Sequence, residues 1–304
     1  MMIGSNTIWK NLKILELHTN KIGEKRGEAI GVNKTWEQLV NLNLSDNKIG
    51  DRGGEAIGNN TTWTNLEELW LGENEIGEKG GVMIGSNAIW ENLKKLSLGN
   101  NKIGDKGGEA IGNNTTRTNL EFLDLCQNAI GEKGGVMIGS NNTWKNLIKF
   151  YLHTNKIGEK GGEAIGKNTT RTNLEQLALT ENEIGDRGGV MIGSNTTWKN
   201  LKKLDLHTNK IGEKGGEAIG KNTTWNNLEE LLLYTNKIGD KGGVMIGSNT
   251  AWKNLNKLGS QTNKIQDQGA LEIANNTTWK NLTLLNLRGN QFTEISKKKL
   301  SVSL

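Results

Sequence analysis

The chain has 304 residues, among them 41 glycines, ten tryptophans, one cysteine and no proline, with a formal net charge of +5. Hydrophobic residues make up 34%, which with glycine approaches the ordinary globular fraction, so a core forms but a thin one. Basic and acidic residues alternate throughout, as in GEKGGE, which describes a solvated mixed-charge surface and argues against a basic nucleic-acid stripe. The lone Cys126 excludes an intramolecular disulfide and points to a reducing compartment, the cytoplasm. The opening MMIGSNTIWKNLKILEL lacks a basic n-region and a continuous apolar run, and no window approaches the roughly 18 apolar residues of a membrane span. Neither a membrane nor a nucleic acid is expected as a partner. The many Asn-X-Thr sequons, such as the one at Asn60, read as turn residues in a chain without a secretory signal.

From Trp9 onward the chain is one unit written eleven times. Trp9, Trp36, Trp63, Trp90, Arg117, Trp144, Arg171, Trp198, Trp225, Trp252 and Trp279 follow one another at steps of 27 residues without insertion or deletion. In the first copy Leu12, Leu15 and Leu17 precede Asn20 and Ile22. The alternation predicts a short strand with Leu15 and Leu17 facing in and Ile14, Glu16 and His18 facing out. The asparagine repeats in all eleven copies, from Asn20 to Asn290, and is expected to turn the chain and pair backbone groups that burial would orphan. A glycine-rich segment such as GEKGGEAIG then predicts a short helix of poor intrinsic propensity, ordered by its neighbours and cooperative along the array. Copies ending GEAIGNNTT alternate with copies ending GVMIGSNTT over most of the chain, which suggests growth by 54-residue duplications.

Later copies add three features. The segment GGEAIGKNTT, at 161–170 and again at 215–224, is one residue short of a phosphate loop: Gly215, Gly220 and Lys221 fit, but Asn222 stands where a hydroxyl should hold magnesium. Because Gly220 and Lys221 close a helix rather than open one, the match is read as a coincidence of a glycine-rich repeat. The tenth copy places Ser260 in a core leucine column and Gln266 in a glycine column, so this turn is expected either to fray or to begin a cap. After the array at 1–290, residues 291–304 read as a degenerate C-terminal cap, a helix with Ile295 and Leu300 inward and Lys297, Lys298 and Lys299 on a solvated face. At the other end Met1 aligns with Val82, in the middle of a helix. A missing N-terminal cap implies a fragment of a longer array, or an edge used for self-association.

The pattern L-x-x-L-x-L-x-x-N, followed by IGEKGGEAIG and an NTTW turn, resembles leucine-rich repeats of the ribonuclease-inhibitor type, shared with Nod-like receptors and the Ran GTPase-activating protein. The resemblance covers essentially the whole chain. It implies an α/β fold: a right-handed leucine-rich repeat solenoid, or horseshoe, with a parallel concave β-sheet, convex short helices and eleven 27-residue repeats. For function it implies little, because one fold hosts many functions.

Functional residues are therefore sought where the copies differ, in the outward strand columns. Trp70, Phe122, Tyr151 and Tyr234 read as aromatic anchors and, with Leu232, are costly to leave uncovered; Asp124, Asp205, Lys149, Lys203 and Arg288 would supply orientation. The repeated tryptophans, Trp9 included, read as core, and the stems of Arg117 and Arg171 as lying along its edge, which makes those two units local weak points. His18, His153 and His207 share one column, too far apart for a common zinc ion, and Cys126 reads as a small residue of the same face. No nucleophile, base and orienter converge, so no catalytic, cofactor or metal site is expected. The reading is a non-catalytic module, a receptor, adaptor or effector, that binds a protein on its concave face. The alternatives are a regulator of an enzyme, as inhibitor or GTPase activator, and a fragment without independent function.

Overall fold

Each of the first ten 27-residue units folds as a three-residue strand, an asparagine turn and a helix of eight to ten residues, and the eleventh adds a strand. The computed structural model describes residues 3–294 and 296. It divides into two units, Met1–Lys156 and Ile157–Leu304. In the first, β1 (Ile14–Glu16), β2 (Asn41–Asn43), β3 (Glu68–Trp70), β4 (Lys95–Ser97), β5 (Phe122–Asp124) and β6 (Lys149–Tyr151) alternate with α1 (Glu24–Gly31), α2 (Gly50–Gly58), α3 (Glu78–Ser86), α4 (Gly104–Asn113) and α5 (Glu132–Ser140). In the second, α6 (Gly158–Lys167), α7 (Gly185–Gly193), α8 (Glu213–Lys221), α9 (Gly239–Gly247) and α10 (Asp267–Asn275) alternate with β7 (Gln176–Ala178), β8 (Lys203–Asp205), β9 (Glu230–Leu232), β10 (Lys257–Gly259) and β11 (Leu284–Asn286). Within each unit every strand pairs in parallel with the next, at a register offset of one repeat. This is the expected leucine-rich repeat solenoid.

The core is a stack of identical layers. Leu69, Leu96, Leu123 and the other mid-strand residues of β2 to β10 are fully buried, as are seven tryptophans from Trp36 to Trp252. Trp9 is the exception: at 44% exposure it is not core, because no preceding repeat lies over it among the described residues. Glycine in the helices reflects contact rather than looseness. A Cβ on Gly58 would lie 2.5 Å from Ile84 N, and one on Gly220 2.5 Å from Ile246 N, so successive helices touch backbone to backbone. Gly220 and Lys221 close α8, and the phosphate-loop likeness ends there.

The helix starts obey a rule carried by one methylene. Where a repeat has Asp at the second helical position, its carboxylate accepts the N–H in the first turn of the next helix: Asp51 from Gly80 at 2.7 Å, Asp105 from Gly134 at 2.7 Å, Asp186 from Gly215 at 2.6 Å, Asp240 from Gly269 at 2.8 Å. The residue preceding that helix, Gly77, Gly131, Gly212 or Gln266, then has ordinary extended backbone. Where the repeat has Glu instead (Glu24, Glu78, Glu159, Glu213), the next glycine, Gly50, Gly104, Gly185 or Gly239, takes φ between 61° and 69°. Gln266 therefore fits because Asp240 precedes it.

The asparagine column forms the expected ladder. The Asn74 side-chain amide donates to Leu71 O, Leu44 O and Gly72 O at 3.0, 2.8 and 2.9 Å, while its Oδ1 accepts from Asn47 N and Ile49 N at 3.1 and 3.3 Å. A second, unanticipated ladder is built from the sequon asparagines. Asn60 Nδ2 donates to Gly31 O and Asn33 O at 2.8 and 2.9 Å, and Asn114, Asn195 and Asn222 repeat the pattern. The turn reading of the sequons thus holds, and for a stronger reason than turn propensity.

Two expectations change, and most of a third lies outside the described residues. Arg117 and Arg171 do not lie along the core edge; both are fully buried. Arg117 Nη2 donates to Ile84 O, to Gly85 O at 3.3 Å and to Asn87 O at 3.3 Å, and the guanidinium lies 5.6 Å from the Trp90 ring centroid, but Nε and Nη1 have no partner among the described residues. Burial pulls the two guanidinium pKa values down to about 10 and about 9. The tenth repeat keeps the register of its neighbours, with Ser260 fully buried and its Oγ unpartnered among the described residues. Of the expected cap, Thr293 N–H donates to Asp267 Oδ1 at 2.7 Å, whereas Ile295, Leu300, Lys297, Lys298 and Lys299 lie outside the described residues.

Candidate functional site

The three-residue strands leave only their first and third side chains on the open face, and there the repeat identity breaks down. In the first unit the aromatic residues are not isolated. Trp70 on β3 reaches past β4 to Phe122 on β5, ring centroids 5.4 Å apart, and Phe122 meets Tyr151 on β6 edge to face at 5.6 Å. This is possible because β4 offers a small residue, Ser97, opposite Trp70 in the register. Ser97 is only 7% exposed although its column faces outward. The rings are therefore half-buried rather than exposed as the sequence suggested, because they cover one another.

The polar groups around these rings are oriented. Trp70 Nε1–H donates to Glu68 Oε2 at 3.1 Å, and Lys95 Nζ pairs with Glu68 Oε1 at 2.8 Å. Burial opposes the Glu68 charge, yet the hydrogen bonds from Lys95 and Trp70 outweigh it and hold the carboxyl below its usual pKa. Asp124 Oδ1 accepts from Cys126 N at 3.1 Å, and its Oδ2 accepts from Ser97 Oγ at 3.1 Å. Burial first, then the Asp124 charge, raises the Tyr151 hydroxyl and pushes the Cys126 thiol up to about 12. A thiol so shifted is no nucleophile at neutral pH. Lys149, opposite Phe122 in the register, is exposed.

In the second unit Tyr234 stacks on His207, its neighbour in the same column, with centroids 3.9 Å apart and 15° between the planes. Asp205 Oδ1 lies 3.8 Å from His207 Nε2. Burial, then Asp205 and Glu181, raises the Tyr234 hydroxyl. Leu232, expected to be exposed, is 8% exposed, since Gly259 on the next strand leaves room for it: a Cβ there would meet Leu232 Cδ2 at 3.2 Å and Tyr234 Cδ1 at 3.5 Å. Lys203 pairs with Glu230 at 3.3 Å, and Arg288 is exposed beyond β11.

The nine expected residues thus fall into separate sets. Trp70, Phe122, Tyr151, Asp124 and Lys149 share one neighbourhood; Tyr234 and Asp205 share another through His207; Lys203 is held in an ion pair, and Arg288 stands apart at the edge strand. What sequence reasoning missed are the small residues that make the clusters possible, Ser97, Gly72, Gly99 and Gly259. Their signal was a gap in a column beside a large residue on the adjacent strand. Among the described residues no three histidine, cysteine or carboxylate side chains gather as metal ligands, and no helix is long and apolar enough to cross a membrane.

The family model for the leucine-rich repeat matches residues 39–58, 91–112, 171–193 and 199–220. Among solved structures, 187 chains match. An internalin (InlF) of Listeria monocytogenes is 19% identical, with a TM-score of 0.55 over 96% of this chain and 85% of the internalin. A TDR receptor is 20% identical, with a TM-score of 0.58 over 92% of this chain and 44% of the receptor. No curated protein matches the sequence. These likenesses agree on the leucine-rich repeat fold, which serves generally as a protein-interaction scaffold.

Proposed function

We propose that the chain is a non-catalytic leucine-rich repeat module that binds a protein partner through its strand face, with Trp70, Phe122, Tyr151 and Tyr234 as anchors. The observation that carries the proposal is the aperiodic aromatic cluster of the first unit. In an array copied by duplication, Trp70, Phe122 and Tyr151 depart from their columns and meet at 5.4 and 5.6 Å beside an oriented carboxylate. Half-buried aromatics in such a setting are the usual centres of binding energy. Asp124, Asp205, Lys149, Lys203 and Arg288 then supply charge complementarity. The ribonuclease-inhibitor-like subtype is supported by the 27-residue period and by the helix that follows each strand from β1 to β10. A cytoplasmic setting is supported by the sequon asparagines, whose amides are engaged in the second ladder and would be lost to a glycan.

The test compares the wild-type chain with the Trp70→Ala/Tyr151→Ala/Tyr234→Ala variant, both shown to be folded, in affinity capture and then titration against the captured protein. Loss of binding of roughly 100-fold or more in the variant is expected if these residues are hot spots. Equal binding by the two chains would remove the strand face from the account.

A further inference from the structure

The proposed binding face has a feature that defines its ligand more narrowly. Asp124 is a half-buried carboxylate fixed from two sides, by Ser97 Oγ at 3.1 Å and Cys126 N at 3.1 Å, and no basic side chain pairs with it among the described residues. The other carboxylate in the outward columns of β3 to β6, Glu68, is already neutralised by Lys95 at 2.8 Å. The Cys126 thiol also bonds to Asp124, which leaves one acceptor direction, since a carboxylate offers about four lone-pair sites. Its strand neighbours are aromatic on one side, with Tyr151 opposite it in the register and Phe122 two residues before it on β5. On the other side the chain leaving β3 and β4 carries only Gly72 and Gly99. A Cβ on Gly72 would find its nearest neighbour, Gly99 O, at 3.4 Å, whereas one on Gly99 would meet Cys126 Sγ at 2.7 Å and Asp124 Oδ2 at 2.8 Å. The carboxylate and the Cys126 thiol thus close over Gly99, while Gly72 is left as bare backbone beside the rings.

We infer that this site takes one arginine side chain of the protein partner, its guanidinium hydrogen-bonded to Asp124 and stacked against the aromatic cluster, its stem over Gly72. A planar cation satisfies the carboxylate and the ring faces at once, which an ammonium does less well. A run of basic residues does not fit, because exposed Lys149 stands opposite Phe122 and Glu68, already paired with Lys95, offers no second counter-charge. The partner segment therefore carries a single arginine among apolar or acidic residues. The inference rests on the strand-face reading above and goes beyond it by naming the ligand group.

The experiment titrates the isotopically labelled full chain with a blocked pentapeptide, Gly-Ser-Arg-Leu-Gly, and with the same peptide carrying neutral citrulline in place of arginine. The readout is the NMR signal of the Trp70 indole N–H, assigned with Trp70→Phe. The arginine peptide is expected to move this signal with an affinity roughly tenfold above that of the citrulline peptide, or about 1.4 kcal/mol. Asp124→Asn should erase the difference. Ser97→Ala, which keeps the charge but loosens the carboxylate, should reduce it and covers the case in which Asp124→Asn fails to fold. Equal affinities for the two peptides, or a ratio unchanged in both variants, would overturn the inference. If the triple alanine variant still loses its protein partner while the peptides bind equally, the face stands and the arginine site falls; if partner binding ignores the alanines, the face itself falls.

Discussion

Trp225, Trp252 and Trp279 in the interior of the second unit stack ring on ring at 6.5 Å with interplanar angles of 15° and 14°, each in the same surroundings as the last. Trp70, Phe122 and Tyr151 on the strand face of the first unit meet at 41° and 89°, from different strands and different columns. The interior repeats because each layer is the template for the next, so a good solution for one repeat is a good solution for all. The face does not have to repeat, since its side chains meet across repeats as unlike residues rather than stacking copy on copy. Interior positions should therefore respond strongly to substitution and alike in every repeat, whereas face positions should respond weakly in stability and individually in binding.

The largest effect should come from the asparagine ladder. Asn101 donates to Leu71 O and Leu98 O at 2.9 and 2.8 Å and accepts from Asn74 N and Ile76 N at 3.1 and 2.9 Å. Asn101→Ala leaves these buried groups unpaired, at about 1–3 kcal/mol each before relaxation. A loss of roughly 3 kcal/mol or more in denaturant unfolding is expected, against about 0.5 kcal/mol or less for Asn286→Ala on the face. Equal losses would break the comparison.

The second effect has the opposite sign. Arg171 interrupts the tryptophan column in full burial, with its pKa depressed from 12.5 to about 9. A folded pKa below the unfolded one means that, for this base, the fold disfavours the charged form. The destabilisation is complete below about pH 9 and fades as pH rises toward 12.5. Arg171→Trp should therefore stabilise the chain at pH 7, by about 1–4 kcal/mol on the precedent of buried charges replaced by apolar groups. The gain over wild type should shrink above pH 9, measured by denaturant unfolding at both pH values. A destabilised variant at neutral pH would show that the polar contacts of the guanidinium matter more than its burial.

Third in size is the choice of helix start. Gly104 has φ 63° after Glu78, and a methyl added there would find no atom nearer than 3.4 Å, so Gly104→Ala meets backbone strain of roughly 1 kcal/mol or more rather than a clash. Gly77, after Asp51, is extended, and its counterpart after Asp240 is already Gln266. Gly77→Gln should cost less than Gly104→Ala in thermal unfolding. The reverse order would refute the rule that Asp or Glu in one repeat sets the backbone of the next.

These cases also mark what was legible in the sequence. The strand, the turn asparagine, the helix and the tryptophan column each recur every 27 residues, and a period read eleven times fixes a fold. The fate of Arg117 and Arg171 was not legible, because a side chain at a core position can snorkel or stay inside, and only the space and the acceptors around it decide which. At the candidate site the columns identified Trp70, Phe122, Tyr151 and Tyr234, but not that Trp70 spans β4 to reach Phe122, or that His207 stacks on Tyr234. The first contact depends on a small residue, Ser97, on the strand between, a property of three repeats taken together, and the second on how two neighbouring rings of one column turn toward each other.

The smallest stability effect is expected where that dependence is strongest. Phe122→Leu keeps an apolar group on β5 but removes the ring that joins Trp70 to Tyr151. An aromatic pair contributes about 0.5–1.5 kcal/mol beyond burial, and less for half-exposed rings, so global stability should fall by about 1 kcal/mol or less. The local consequence is larger than that number implies. Without Phe122 the Trp70 ring loses its 5.4 Å neighbour on β5, although Glu68 still accepts its N–H at 3.1 Å. Trp70 should then become more accessible to a collisional fluorescence quencher, while the buried tryptophans stay protected. A chain that unfolds as the wild type does but opens at Trp70 would show that the face is assembled by its own side chains on a scaffold indifferent to them. If quenching is unchanged, the strand beneath, with Ser97 in its gap, is enough to hold the ring in place.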